Sequence, residues 1–362
     1  MKRKGFKGFA IIIHCLIVTI FLLVALVPFT SSWIIAFLGL VYPFLLFLVI
    51  LCLVISILVK TRWFILPMAA LVLSWQQLSV LFAFHPGQKF QMEKDPGSLR
   101  VLSWNVSRWT ENKNSMRGKP ENSYRLQMMQ LVLEQNADVL CFQEFFQCYA
   151  PSLFPENIEP IKKMGYPYYY FTPSSITVNG AFQTGLAIFS KYPITDSAYF
   201  KTVSGGHSEG YSYADIRFND KTVRVFNTHL ESPGIREKEI NGQGKNRITG
   251  LVGKIRRSYH FRSLQADQLG ASMNASPHPV IFCGDLGDVP NSYSYFTVRG
   301  NLQDVFLKKG SGFGRTYRFI SPTLRIDYVM ADKNLKPTQF NQPGKLYSDH
   351  YPLVSDLVWR NE

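Results

Sequence analysis

The chain has 362 residues, of which 46% are hydrophobic, and its formal net charge at neutral pH is +14. The hydrophobic residues are concentrated in the first 85 positions, which excludes a chain built as one uniform globular unit. After residue 95 lie 31 of the 39 Lys and Arg and 23 of the 25 Asp and Glu, so this part carries a formal charge of +8. That charge suits an anionic, phosphate-bearing substrate, and a basic solvated surface explains it equally well. The five cysteines include no CxxC pair and predict no disulfide framework.

Three apolar segments, residues 9–29, 33–59 and 63–84, contain no Asp, Glu, Lys or Arg, and each is long enough to cross a bilayer as a helix. The third contains two glutamines, and its alternative is a buried or interfacial segment. Four basic residues precede the first segment, and Lys60 and Arg62 separate the second from the third. Because positive charge marks the cytoplasmic side, these basic residues place the N-terminus in the cytoplasm, and three crossings follow it. The rest of the chain is then extracytoplasmic, and periplasmic at the inner membrane if the source is a Gram-negative bacterium.

A cleaved signal peptide is the alternative for the first segment, but the two further segments and the lack of an Ala-x-Ala site favour a permanent anchor. Residues 86–98 contain two Pro and two Gly and are typical of a linker. The sequence therefore predicts an all-α transmembrane region over 1–85, a linker over 86–98 and a catalytic domain over 99–362.

The pattern after residue 98 alternates short apolar runs with turn residues and two longer amphipathic stretches. The predicted helices cover 122–136 and 251–273. The predicted strands are 99–105, 138–143, 184–190, 211–218, 222–229, 279–284, 325–331 and 353–359. Many strands with few helices predict an α+β fold, in which two sheets pack face to face with helices outside.

Polar residues stand at the ends of these predicted strands, where a rigid sheet can present side chains to a cleft. They are Asn105, Gln143-Glu144, Asn227-Thr228-His229, Gly284-Asp285, Asp327 and Ser348-Asp349-His350. Each alone has an ordinary structural explanation, such as a turn or a satisfied core histidine. For any one of them alone, that ordinary explanation is favoured.

The order of these motifs, Asn-Val, Gln-Glu, Thr-His-Leu, Gly-Asp, Ile-Asp-Tyr and Ser-Asp-His-Tyr-Pro, resembles the endonuclease/exonuclease/phosphatase superfamily over residues 99–360. The run Gly-Leu-Ala-Ile-Phe-Ser-Lys-Tyr-Pro-Ile at 185–194, with Arg262 and Gln265-Ala266 in the second helix, supports the resemblance. It implies a four-layered, DNase I-like α/β-sandwich and a metal-dependent hydrolase of phosphoester bonds.

The resemblance also implies a metal site. Glu144 would be the main Mg²⁺ ligand, Asn105 would lie beside it as a ligand and substrate contact, and Asp349 would add to the metal environment. Magnesium prefers hard oxygen ligands and keeps several waters, so one or two carboxylates suffice. Mn²⁺ is the alternative metal.

The catalytic roles follow from the same resemblance. His350, oriented by Asp327, would contact the scissile phosphate or help to activate water. His229 would stabilise phosphate oxygens or the leaving group, and Asp285 would orient or deprotonate the attacking water. Phosphoryl transfer requires mainly positioning and charge neutralisation, which these residue types provide.

The sequence departs from the family pattern Gly-Asp-x-Asn, because Gly287 stands in place of the Asn. Losing one preorganised donor can cost on the order of 10² to 10³ in rate. The backbone N–H of Gly287 or a water is predicted to contact the substrate instead. Ser107, where some nucleases of the superfamily carry Asp, mildly disfavours an abasic-site endonuclease.

Arg315 is predicted to contact substrate, because its motif leads into the segment of Asp327. For the basic loop residues Arg236, Lys238, Lys245 and Arg247, substrate contact and a solvated surface are equally favoured.

Three functions therefore stay open. The first is a phosphodiesterase or phosphatase at the membrane, acting on a lipid headgroup or a small molecule. The second is a nuclease acting on extracytoplasmic DNA or RNA, and the third is a phosphate-binding domain in which Gly287 impairs catalysis. A small transporter with an attached domain is disfavoured because no charge lies within the apolar segments. The sequence does not identify a protein partner.

Overall fold

The computed structural model describes residues 2–111, 123–206, 208–234, 247–319 and 321–360. The N-terminal region is helical, with short 3₁₀ turns at Val24–Phe29 and Arg62–Phe64. Its α-helices are α1 Lys2–Leu23, α2 Trp33–Leu40, α3 Tyr42–Leu58, α4 Ile65–Leu73 and α5 Trp75–Leu81.

In this region, residues 11–29 form one helical segment long and apolar enough to cross a membrane. Helices α2 and α3 meet at a bend of 67°, and the segment 62–73 meets α5 at 66°. If each bent pair counts as one span, the described residues provide up to three crossings. The first bend has a local cause: Pro43 stands in the first turn of α3, where its ring prevents the preceding helix from continuing unbroken.

The rest of the described chain forms two six-stranded mixed sheets, ordered β11-β12-β1-β2-β4-β3 and β5-β6-β7-β8-β10-β9. The strands are β1 Leu99–Asn105, β2 Val139–Cys148, β3 Tyr168–Thr177, β4 Phe182–Ser190, β5 Ile194–Phe200, β6 Gly210–Phe218, β7 Lys221–His229, β8 Val280–Asp285, β9 Gln303–Asp304, β10 Asp327–Ala331, β11 Leu335–Asn341 and β12 Leu353–Trp359. The helices are α6 Arg125–Gln135, α7 Ile158–Lys163, α8 Arg247–Asn274, α9 Tyr293–Arg299 and α10 Val305–Lys309.

Three apolar cores separate four layers. The central core lies between the sheets and includes Val101 and Cys141 from the first sheet and Val225 and Cys283 from the second. On the outer face of the first sheet, side chains of α6 and α7 pack against β1 and β2. On the outer face of the second sheet, side chains of α8 and α9 pack against β7, β8 and β10. The predicted α+β fold and four-layered α/β-sandwich are confirmed.

All eight predicted strands are present, whereas β3, β5, β9 and β11 were not predicted. Each of these four is the edge strand of a sheet. Edge strands carry polar residues and interruptions that discourage further pairing, so they lack a continuous apolar run. Pro337 in β11 illustrates this, since Pro is tolerated in a sheet mainly at edges and bulges.

The segment predicted as a linker lies against the sandwich. The guanidinium of buried Arg100 donates to the carbonyl oxygens of Gln91 and Met92 at 3.0 and 2.7 Å. Lys94 forms an ion pair with Asp138. These contacts fix the path of the chain between the helical region and β1.

Candidate active site

The two parallel strand pairs bring the predicted site residues together. β1 pairs in parallel with β2, and β7 pairs in parallel with β8. A parallel pair puts the carboxyl ends of both strands at the same edge of the sheet. Asn105, His229 and Asp285 end β1, β7 and β8, and Glu144 lies near the end of β2. All four therefore face one cleft at one edge of the sandwich.

A buried polar bridge fixes the two sheets relative to each other beneath this cleft. Gln143 Nε2 donates to Asn227 Oδ1 at 2.7 Å, and Asn227 Nδ2 donates to the carbonyl oxygens of Phe142 and Ala187 at 2.9 and 3.1 Å. Both amide side chains are fully buried. Because an unsatisfied buried amide is costly, this bridge holds β7 against β2 and β4 in one position.

Glu144 is aimed into the cleft by an irregularity in its strand. The pairing of β2 with β4 shifts register between Phe142 and Phe145, and Glu144 has a left-handed φ of 49°. A bulge of this kind redirects a side chain next to a site. The backbone N–H of Glu144 donates to Glu209 Oε2 at 2.8 Å, which secures the unusual conformation.

The acidic groups around Glu144 fit a cation. Burial raises the pKa of Glu144, and the neighbouring carboxylates Glu209 and Asp349 raise it further, against the opposing charges of His229 and Arg108. A divalent cation would relieve this repulsion, and carboxylate oxygens are the ligands that hard cations prefer. The surroundings of Glu144 therefore suit a cation, and Asp349 as a further ligand stays a prediction.

The side-chain nitrogen of Asn105, and not its oxygen, faces the carboxylates of Asp285 and Glu144. Its Nδ2 donates to Asp285 Oδ2 at 3.1 Å and lies 3.4 Å from Glu144 Oε1, while its Oδ1 accepts from Ser107 N–H at 3.0 Å. Only the amide oxygen can bind a metal. In this orientation Asn105 positions the two carboxylates, and its ligation of a metal and contact with substrate stay predictions.

His350 and Asp327 form the pair that the sequence predicted. His350 Nδ1 lies 2.9 and 3.1 Å from the two carboxylate oxygens of Asp327, and both side chains are buried. Burial alone lowers the pKa of His350, but the charges of Asp327 and Asp285 outweigh it and raise the pKa well above its usual range. Trp104 Nε1 donates to the carbonyl oxygen of His350 at 2.9 Å and holds its backbone.

His350, Asp327 and Asp285 also present ligand atoms within 4.8 Å of one another, a spacing that could hold a metal. However, the Nδ1 atom of His350 lies at hydrogen-bond distance from Asp327. A proton shared by this pair accounts for the geometry without a metal.

The second histidine is held by a residue that sequence reasoning missed. His229 Nδ1 lies 3.2 Å from Glu209 Oε2. Burial lowers the pKa of His229, but the hydrogen bond to Glu209 and the charges of Asp285 and Glu144 outweigh it and raise the pKa to about 9. Glu209 stands in a Gly-rich loop before β6, outside every motif, so its sequence position carries no signal.

Asp285 lies between the two histidines. Its Oδ2 is 3.8 Å from His229 Nε2 and 3.7 Å from His350 Nδ1. Its Oδ1 accepts from the backbone N–H of Gly287 at 2.7 Å. The amide predicted to replace the missing Asn therefore binds Asp285 in this structure, and its contact with substrate stays a prediction.

The next residue in this loop, Asp288, is engaged with other side chains. It forms a buried ion pair with Arg262, with Nη1 and Oδ2 2.9 Å apart, and accepts from Ser294 Oγ at 3.3 Å. Both charged side chains are 2% exposed. This pair fixes the register of the loop after β8.

The structure gives contacts for two arginines near the predicted site, Arg315 and Arg108. Arg315 donates to the carbonyl oxygens of Tyr317 and Arg318 in its own loop, so its contact with substrate stays a prediction. Arg108, which the sequence did not single out, places Nε 3.8 Å from Glu144 Oε2. Arg236, Lys238 and Lys245 lie outside the described residues, as does the side chain of Arg247.

Family models match two parts of the chain. A model described as "Endonuclease/Exonuclease/phosphatase family" matches residues 102–350, and one described as "Domain of unknown function (DUF8431)" matches residues 6–81. A search of the curated proteins found no match to the chain.

Solved structures show the same fold at low sequence identity. An endonuclease/exonuclease/phosphatase from Beutenbergia cavernae is 19% identical with a TM-score of 0.53, covering 72% of each chain. The human Nocturnin catalytic domain with bound sulfate anion is 18% identical with a TM-score of 0.52, covering 73% of this chain and 95% of that one. A family protein from Bacteroides thetaiotaomicron is 17% identical with a TM-score of 0.51, covering 74% and 100%.

Proposed function

The chain belongs to the endonuclease/exonuclease/phosphatase family, and from this we propose that it is a divalent-metal-dependent phosphoester hydrolase, a phosphodiesterase or phosphatase, anchored in a membrane. The observation that carries the proposal is the convergence of Glu144, Asp285 and the two carboxylate-held histidines on one cleft. These groups supply the charge and proton transfer that hydrolysis of a phosphate ester needs.

Glu144 and Asp349 would hold the cation, Mg²⁺ with Mn²⁺ as alternative, which would neutralise charge on the phosphate oxygens. His229 is protonated at neutral pH, because Glu209 and Asp285 raise its pKa to about 9. Its Nε2–H can donate to a phosphate oxygen or to the leaving oxygen. Asp327 fixes the Nδ1 proton of His350, which leaves Nε2 for the phosphate.

Asp285 is the group best placed to orient the attacking water. Its Oδ2 accepts only from Asn105 among the hydrogen bonds of the described residues, which leaves acceptor capacity toward the cleft. Both histidines place a ring nitrogen within 4 Å of this oxygen.

The membrane placement is the second part of the proposal. We propose three crossings, an N-terminus in the cytoplasm, and a catalytic domain on the extracytoplasmic face, which is the periplasm in a Gram-negative bacterium. The support is the basic turn at Lys60 and Arg62 between the second and third apolar segments. Protease added to intact spheroplasts should digest the sandwich. Protection of the sandwich would show that the catalytic domain lies on the cytoplasmic side instead.

The test of activity uses the full chain in detergent with bis-p-nitrophenyl phosphate and p-nitrophenyl phosphate. Turnover should require Mg²⁺ or Mn²⁺ and disappear with EDTA. Glu144→Gln and His350→Ala should abolish it, whereas Glu134→Gln, an exposed carboxylate on α6, should not. Activity that persists in the first two variants would refute the assignment.

A second candidate is a domain that binds phosphate ligands without turnover. The observation in its favour is that the Gly287 amide, the expected substitute for Asn, donates to Asp285. Phosphate binding without metal-dependent turnover would support it. Hydrolysis of plasmid DNA or RNA in preference to other esters would instead favour a nuclease.

A further inference from the structure

The helical region is packed onto the sandwich at several points. The carbonyl oxygen of Val80, near the end of α5, accepts from buried Arg325 Nη2 at 2.9 Å, and the Val80 side chain lies in the outer core of the second sheet. On α2, Gly39 lies so close to the sandwich that a Cβ atom there would stand 1.9 Å from the carbonyl oxygen of Asn291. The apolar helices therefore hold the catalytic domain in one orientation.

An exposed aromatic cluster joins the last apolar helix to the sandwich. We name Phe82, Phe84 and Phe313 the aromatic rim; their side chains are 46%, 75% and 41% exposed. The ring of Phe82 lies 6.5 Å from that of Phe84 and 5.3 Å from that of Phe313. Ala83 and Gly312 exchange backbone hydrogen bonds of 3.0 and 2.8 Å, which fix the rim.

The aromatic rim lies close in sequence to the catalytic cluster. Four residues after Phe313, the ring of Tyr317 packs on the imidazole of His350 with centroids 5.0 Å apart. Tyr317 and His350 also form an isolated β-bridge. One side of the cleft is therefore continuous with the apolar helices.

Helix α8 makes a second connection between the helical region and the sandwich. Tyr259 on α8 directs its hydroxyl to the carbonyl oxygen of Ala36 on α2 at 3.5 Å. Arg257 Nη2 donates to Gly205 O at 3.1 Å, and Gly205 N–H donates to Glu231 Oε2 at 3.0 Å, two residues after His229. The exposed Arg256 lies on the same stretch of α8. The stretch of α8 that adjoins α2 is therefore basic.

We propose that the aromatic rim and the basic stretch of α8 hold the mouth of the cleft against the lipid surface, and that the substrate is a phosphoester of a membrane lipid with an anionic headgroup. The substrate class rests on the proposed hydrolase function. Exposed aromatic side chains next to spanning helices lie at the membrane–water interface, and adjacent basic side chains attract anionic lipids. In the reaction, a water oxygen bonds to phosphorus, one phosphorus–ester oxygen bond breaks, and the leaving oxygen takes a proton.

The contact with lipid can be tested without any catalysis. Phe313→Trp and Tyr168→Trp are a matched pair, because the two native side chains are 41% and 40% exposed and Tyr168 lies on the edge strand β3. The full chain is reconstituted in phosphatidylcholine–phosphatidylglycerol vesicles with and without brominated acyl chains. The added emission at position 313 should be quenched by bromine and that at 168 should not. Equal quenching, or none at 313, would overturn the docking.

The substrate class is tested in the same vesicles by release of phosphate-bearing headgroup or diacylglycerol from a panel of phospholipids, beside bis-p-nitrophenyl phosphate. Phe313→Ser should lower lipid hydrolysis about tenfold, as expected when one aromatic side chain no longer inserts into the lipid. It should leave hydrolysis of the soluble ester unchanged. Tyr168→Ser is the control. Arg256→Gln should lower hydrolysis of anionic lipid at low salt, and Arg217→Gln, an exposed arginine on β6, should not.

The outcomes separate the two proposals. Soluble-ester turnover without lipid hydrolysis, or preferred turnover of nucleic acid, would overturn the lipid substrate and leave the hydrolase intact. If neither ester is turned over, the hydrolase fails, and the bromine quenching alone decides whether the cleft faces lipid.

Discussion

Replacing Gly287 with Asn tests whether one missing donor limits this site. Gly287 has a left-handed φ of 60°, a conformation that Asn adopts more readily than most residues. A Cβ atom there would stand 3.3 Å from the carbonyl oxygen of Glu231 and 3.8 Å from Arg262 Nε. The loop therefore accommodates Asn with a shift of a few tenths of an ångström.

Gly287→Asn should lower stability by less than it stabilises the transition state. The backbone conformation and the close contact together should cost about 1 kcal/mol of stability. An amide donor aimed at a phosphate oxygen contributes on the order of 10² to 10³ in rate, or about 3 to 4 kcal/mol in the transition state. Because Asp288 is fixed by its ion pair with Arg262, the loop keeps its register and the new side chain starts from the position of Gly287. We expect kcat to rise by on the order of tenfold to a hundredfold.

The assay is hydrolysis of bis-p-nitrophenyl phosphate with Mg²⁺, beside the melting temperature of each variant. Gly287→Ala is the matched control, since it adds the same Cβ and backbone strain without a donor. Only Asn should raise kcat, while both variants should melt at slightly lower temperature. An equal effect of Ala and Asn, or no gain from Asn, would refute the donor argument.

Three further predictions follow from the same contacts. Asp327→Asn should lower kcat by about 10² to 10⁴ with little change in KM, because the imidazole loses the carboxylate that holds its Nδ1–H and its orientation; unchanged steady-state kinetics would contradict this. Glu209→Gln should move the alkaline limb of the pH–rate profile to lower pH, because the hydrogen bond and charge that raise the pKa of His229 to about 9 are lost. In the native chain, protonated His229 contributes stability that is complete below pH 6.5 and is lost as the pH rises through about 9. In denaturant titrations of Glu209→Gln, this contribution to the free energy of unfolding should be lost at lower pH. Gly39→Ala should cost about 1 to 3 kcal/mol by thermal unfolding, because its Cβ meets a backbone carbonyl at 1.9 Å, whereas Gly253→Ala meets nothing within 4 Å and should cost nothing.

Much of the fold could be predicted from the sequence because the signals are local. The central strands β1, β2 and β8 are buried along almost their whole length, and most of their residues are therefore apolar. The edge strands escaped prediction because their residues are mixed. The apolar helices were recognisable by composition, but their bends and their packing on the sandwich were not.

The candidate site was predictable where function and local motif coincide. Asn105, His229, Asp285, Asp327 and His350 all stand at or beside strand ends, and the structure brings them to one cleft. The orientation of a side chain was not predictable: the amide of Asn105 presents nitrogen, not oxygen, to the two carboxylates.

The sequence by itself determined the division into an apolar and a soluble region, the central strands and the order of the motifs, because each depends on neighbouring residues. Only the tertiary structure decided that Glu209 holds both the Glu144 amide, 65 positions away, and the imidazole of His229. It alone placed Phe313 beside Phe82 and a carbonyl of α2 beside Tyr259. The physical reason is that these contacts join residues far apart in the chain, and their energies depend on distances that only the packed layers set.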